Sequence, residues 1–112
     1  MKNVIVAIDA QRIVDPASFH STFSEALGFP ESYGRNMDAW IDCMSSLDIP
    51  EDCMSKVHVA PGHFVVLQIE NARDFAARCP KLYADLVEGS AFVNWRLIER
   101  GHEPLLALSF GA

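Results

Sequence analysis

FVVLQI, residues 64–69, decides the fold. Its apolar residues run on without polar alternation and are rich in β-branched types. Such a run reads as a strand buried on both faces, as in a parallel sheet. Two runs of the same character flank it in the chain, VIVAI at residues 4–8 and LLAL at residues 105–108.

The segments between them carry helical signals. Asp15-Pro16 is an N-cap followed by proline at the first helical position. Phe19, Phe23, Ala26 and Leu27 then recur at helical spacing, and Gly28 ends the helix. Asn36 caps a second helix reaching to about residue 46. Its apolar side is Met37, Trp40, Ile41, Met44 and Leu47, with Arg35, Asp38, Asp42 and Ser45 opposite. Residues 47–62 are broken by Pro50, Pro61 and Gly62, and residues 57–60 are a candidate edge segment. After the central strand, Asn71 is a candidate N-cap. Cys79-Pro80 ends one helix and starts another, because proline is tolerated in a first turn only. Gly89-Ser90 is a candidate break, and Gly101 is a stop. The order is strand, two helices, strand, two or three helices, strand. Right-handed crossovers then give a three-stranded parallel sheet in a three-layer α/β fold, one domain over residues 1–112.

Composition narrows the function. The 112 residues carry a formal net charge of −6. Direct nucleic-acid binding needs clustered Lys and Arg, so it is disfavoured, and a basic partner is favoured. No apolar run is long enough to span a bilayer, and no signal peptide is evident at the start. Three cysteines are an odd number at irregular spacing, which suits reduced thiols and a cytoplasmic location. Cys43, Cys53, His58, His63 and Cys79 form no metal-ligand spacing, so no metal or cofactor is expected. Nothing marks a nucleophile with its base, or a phosphate-binding loop. His20 and His102 read as surface residues.

Residues 29–43 read FPESYGRNMDAWIDC. This stretch resembles the signature of the barstar family of ribonuclease inhibitors. There a Leu-Pro-Glu loop leads through Tyr-Gly-x-Asn to a helix reading Leu-Asp-Ala, two large apolar residues and Asp-Cys. Pro30, Glu31, Tyr33, Gly34, Asn36, Asp38, Ala39, Asp42 and Cys43 stand where that pattern wants them. The resemblance implies a non-enzymatic intracellular inhibitor whose loop and helix plug the cationic active site of a basic ribonuclease. Carried over residue by residue, the partner-binding positions are Tyr33, Gly34, Asn36, Asp38 and Asp42.

The residues themselves support a binding face. Asp38 and Asp42, four apart on a helix, project together, and like charges so spaced cost roughly 0.2–0.5 kcal/mol with no local return. Two fixed carboxylates can mimic adjacent RNA phosphates and accept charge-assisted hydrogen bonds from Arg, Lys or His. Tyr33 would add an amphipathic contact at the edge. Gly34 would permit close approach or a positive φ. Each also has a plain reading: a solvated acidic helix face, a packing tyrosine, a loop glycine and a cap. Trp40, Met37 and Met44 read as core.

The sequence departs from the family pattern in several places. Ser32 replaces an aromatic residue, Arg35 replaces an acidic one, and the order Trp40-Ile41 is reversed. Arg96 stands where the last helix of well-known members carries an acid. Residues 48–63 look like an insertion. These departures keep a second reading open: a regulatory interaction module with a non-nuclease partner. A metal- or thiol-dependent enzyme is a third, resting only on the Cys and His content.

Overall fold

The computed structural model describes residues 3–112. Its elements follow the order β1 (Val4–Asp9), α1 (Pro16–Leu27), α2 (Met37–Met44), β2 (Val65–Glu70), α3 (Ala72–Arg78), α4 (Pro80–Glu99) and β3 (Leu106–Phe110), with short 3-10 turns at Ala10–Arg12 and Pro50–Asp52. β2 is the central strand. It pairs in parallel with β1, Val6 opposite Leu67, and with β3, Leu67 opposite Leu108. The α/β fold with a three-stranded parallel sheet is therefore as expected.

Burial is one-sided, which corrects the expectation of strands covered on both faces. Val6, Ile8, Val65, Leu67 and Ile69 are buried, whereas Ile5 is 65% exposed and Val66 and Gln68 are half-buried. α1 packs on β1 and α4 on β3, while α2 packs on α4. Trp40 is fully buried, with its ring edge-on to Phe23 of α1 at 5.6 Å. Removal of this large aromatic from water is among the main apolar contributions to the core.

Local signals set the ends of α1. Asp15 accepts from the Ser18 amide at 2.8 Å, and Ser18 Oγ accepts from the Asp15 amide at 3.0 Å, a reciprocal capping box. Gly28 closes the helix in the left-handed region at φ 67°. α3 stops at Arg78 and α4 starts at Pro80, as the Cys79-Pro80 pair predicts.

Four readings need correction. α4 runs unbroken through Gly89-Ser90. Gly89 lies against α2, and a Cβ there would meet Met37 Cε at 2.9 Å and Trp40 Cζ3 at 3.2 Å. The glycine serves close helix approach and does not break the helix. Residues 57–60 form no strand. The two residues before them strap the end of α1, with the Lys56 amide and Ser55 Oγ both donating to the Leu27 carbonyl, at 2.9 and 2.7 Å, while Val59 is buried and its amide donates to the Leu47 carbonyl at 3.0 Å. Asn71 makes no side-chain cap but takes a left-handed φ of 60° and donates to Asp9 Oδ1 at 3.3 Å. Ser45 is buried, because its hydroxyl is satisfied by the Ile41 carbonyl one turn back, at 2.6 Å.

Candidate functional site

The loop and helix singled out in the sequence form one exposed edge. Asn36 holds it together: its Oδ1 accepts from the Ala39 amide at 2.8 Å, and its Nδ2 donates to the Gly34 carbonyl at 3.4 Å. One side chain thus caps α2 and ties the loop to the cap. Gly34, Asn36, Asp38 and Asp42 are all exposed. Asp38 sits in the first turn of α2, where the helix dipole favours a carboxylate, and it has no ion-pair partner among the described residues.

Tyr33 lies elsewhere. It is 8% exposed, packs 4.7 Å from Phe29 between ring centres, and shares a hydrogen bond of 2.5 Å with His20 Nδ1. His20 is buried as well, which corrects its reading as a surface residue. Burial pushes the phenol pKa upward, the Cys43 thiol adding to the rise and Arg35 opposing it. Burial first, and then the Arg35 charge, lowers the His20 pKa, against a smaller opposing pull from Asp85. A neutral imidazole accepting from the phenol fits both directions. Tyr33 therefore anchors the loop from inside and offers no exposed ring at its edge.

Positive φ falls on Arg35, at 56°, and not on Gly34. The turn carries Arg35 back to α1, where its Nη2 donates to the Ala17 carbonyl at 3.0 Å and to Ser21 Oγ at 2.7 Å. Arg35 is spent there and leaves Asp38 alone.

Asp42 is different. Arg96 of α4 donates to its Oδ1 at 2.9 Å, and the same guanidinium lies 5.4 Å from the centre of the Phe92 ring. The expectation of two free neighbouring carboxylates is thus met by Asp38 only. The pair is open to solvent, with the Asp42 side chain 58% exposed, so it is screened and exchangeable. Behind it Cys43 is buried, and burial with the nearby Asp42 charge raises its thiol pKa to about 11. That thiol stays protonated and unreactive at neutral pH.

The sequence reading missed the outward stripe of α4, Phe92, Trp95 and Ile98, all exposed. A signal was available. The buried residues Leu82, Leu86, Val93 and Leu97 share one face of α4, and these three fall off it. Among the described residues, no three His, Cys, Asp or Glu side chains gather as a metal site, and no helix is long and apolar enough to cross a membrane. The three cysteines are free thiols.

The scaffold is a parallel α/β domain that presents a capped helix with exposed carboxylates at one edge. Residues 3–108 match the model of the barstar family, described as Barstar (barnase inhibitor), and the chain belongs to that family. Members are inhibitors and not enzymes, and a protein partner goes with that role. No curated protein matches the chain.

Proposed function

We propose that the protein is a cytoplasmic inhibitor of a basic ribonuclease, which docks the edge formed by Gly34, Asn36, Asp38 and Asp42 into the enzyme's cationic active site. The observation that carries this reading is the exposed carboxylate of Asp38, without an ion-pair partner among the described residues, at the N-terminal turn of α2, beside a loop tied down by Asn36. A ribonuclease must hold phosphate with cationic groups, and a fixed carboxylate accepts strong hydrogen bonds from them. The net charge of −6 would steer encounter with a basic enzyme. Tyr33 contributes from within, through His20, by holding the loop in its docking shape. The whole of residues 1–112 acts as one domain in this reading, with no nucleic acid or membrane contact.

The test is inhibition of barnase by the purified chain. Salt-sensitive, one-to-one inhibition is expected, and the double charge reversal Asp38→Lys with Asp42→Lys should abolish it while circular dichroism stays unchanged. Undiminished inhibition by the double variant would overturn the assignment of this edge.

The Arg96–Asp42 ion pair favours a second reading, an interaction module with a non-nuclease partner, because it withdraws one carboxylate from a cationic target. Pull-down from the source cells separates the two. A basic ribonuclease as the main captured protein removes the second reading.

A further inference from the structure

We propose that the cleft between the start of α1, the loop before α2 and the start of α4 binds a small monocarboxylic acid with an apolar body. Asp38, Asp42 and Arg96 do not line this cleft, so the site stands apart from the ribonuclease reading.

The cleft has a volume of about 610 Å³, within the range of small-molecule sites. Val14, Pro16, Met37 and Leu82 give it apolar walls, and Val14 is 65% exposed. His20 also lines it, though the residue is only 5% exposed. The Tyr33 hydroxyl takes up Nδ1, and Nε2 has no hydrogen-bond partner among the described residues. With Nδ1 accepting from the phenol, Nε2 carries the proton. A donor on a buried ring thus opens onto an apolar cleft and calls for an acceptor. The start of α4 adds two more. Its N-cap residue Cys79 makes no side-chain cap bond, whereas Asp15 caps α1 and Asn36 caps α2. Pro80 has no N–H, so the first free amides are those of Lys81 and Leu82, and both residues line the cleft. The dipole of this 20-residue helix favours an anion there.

Charge limits the ligand to one negative unit. Arg35, Arg78 and Lys81, three of the chain's nine Lys and Arg residues, line the cleft together with Asp15 and Asp85. Three cations against two acids leave one positive charge in excess, on a chain whose net charge is −6. Lys81 pairs with Asp85 at 3.0 Å and Arg78 with Asp74 at 2.6 Å. Arg35 bonds neutral groups, the Ala17 carbonyl and the Ser21 hydroxyl, and its charge is felt at His20. A dianionic phosphate would face Asp15 and Asp85 with nothing to offset its second charge. A neutral apolar molecule would cover the His20 N–H and the two amides without satisfying them. A monocarboxylate meets both demands. Its oxygens would accept from those donors, and its apolar body would lie against Val14, Pro16 and Met37.

The test titrates the full isotope-labelled chain with hexanoate at pH 7 and constant ionic strength, followed by NMR, with hexanamide as the neutral control. Saturable shifts are expected at the Lys81 and Leu82 amides and at the His20 ring, and hexanamide should bind at least fivefold more weakly. Arg35→Gln, its folding checked by circular dichroism, should weaken hexanoate at least threefold and leave hexanamide unchanged. Lys81→Gln, at a side chain 86% exposed, should do the same and decides the matter if the first variant does not fold. A purely structural effect would move acid and amide alike. Equal affinity for the two probes, shifts centred away from the cleft, or no saturable shift would overturn the inference. Barnase inhibition is measured separately, and its outcome does not depend on hexanoate binding.

Discussion

Replacing Arg96 with glutamine should tighten binding to a basic ribonuclease. In the free protein Arg96 donates to Asp42 at 2.9 Å, with side-chain exposures of 28% and 58%. An exposed pair of this kind contributes about 0–1 kcal/mol to folding. Removing it should therefore lower the melting temperature by no more than a few degrees. On docking, the balance reverses. Asp42 can serve an incoming cation only if Arg96 lets go, which forfeits up to ~1 kcal/mol. The freed guanidinium then faces the enzyme's cations, and one like charge at roughly 6 Å in water opposes approach by about 0.7 kcal/mol. Arg96→Gln removes both penalties, a gain of about 0.7–1.7 kcal/mol, or roughly 3- to 20-fold in affinity. Inhibition constants for barnase at two salt concentrations, with thermal melts as a control, measure it. The gain should shrink at the higher salt, because both penalties are electrostatic. Unchanged or weaker binding by a folded Arg96→Gln protein would refute the reasoning. Asp42 would then not contact the enzyme, or Arg96 itself would.

Three further outcomes follow from the same geometry. Asn36→Ala removes the cap of α2 and the tie to Gly34; it should cost about 1 kcal/mol in denaturant unfolding and weaken inhibition as well, whereas an effect on stability alone would mean the loop holds its shape without the tie. Tyr33→Phe leaves the buried His20 Nδ1 without its partner and should destabilise by about 1–3 kcal/mol, with a near-neutral result showing that water or another group replaces the phenol. The lowered His20 pKa means the unfolded chain binds more protons than the folded one just below the ordinary histidine value of 6.5; stability should hold above that pH and fall on acidification towards pH 5, and a flat urea-unfolding profile over that range would contradict it.

The parts of this protein that were legible in its sequence are those fixed by chemistry within a few residues. Asp15, Pro16 and Gly28 set both ends of α1, Asn36 sets the start of α2, and Pro80 separates α3 from α4. The apolar runs gave the three strands, though not that one face of the sheet stays open at Ile5. What stayed illegible depends on partners far along the chain. Gly89 looks like a helix breaker until the ring of Trp40 is set against it. His20 looks exposed until Tyr33, 13 residues away, supplies its hydrogen bond. The candidate site divides in the same way. Asp38 and Asn36 follow local rules, and the sequence located both on the exposed edge. The pairing of Asp42 with Arg96 spans 54 residues, and no local pattern announces it.

The stiffness required of a docking helix cannot come from α2 alone. It has eight residues, fewer than an isolated helix needs to persist in water. Its order is borrowed: Asn36 fixes its first turn, Trp40 seats it on Phe23, and Gly89 lets it lie close to α4. The buried side of α2 therefore sets the position of the exposed one, and Asp38 points outward because Trp40 cannot. The reversed order Trp40-Ile41 belongs to the same logic, for it spends the indole on the core and leaves Ile41 half-buried beside Phe92 in a groove between α2 and α4. Aromatic surface given up on the loop and on α2 reappears on α4, next to the carboxylate that Arg96 holds. On the proposed docking face, such a redistribution would alter the fit to a partner while leaving the scaffold that presents it intact.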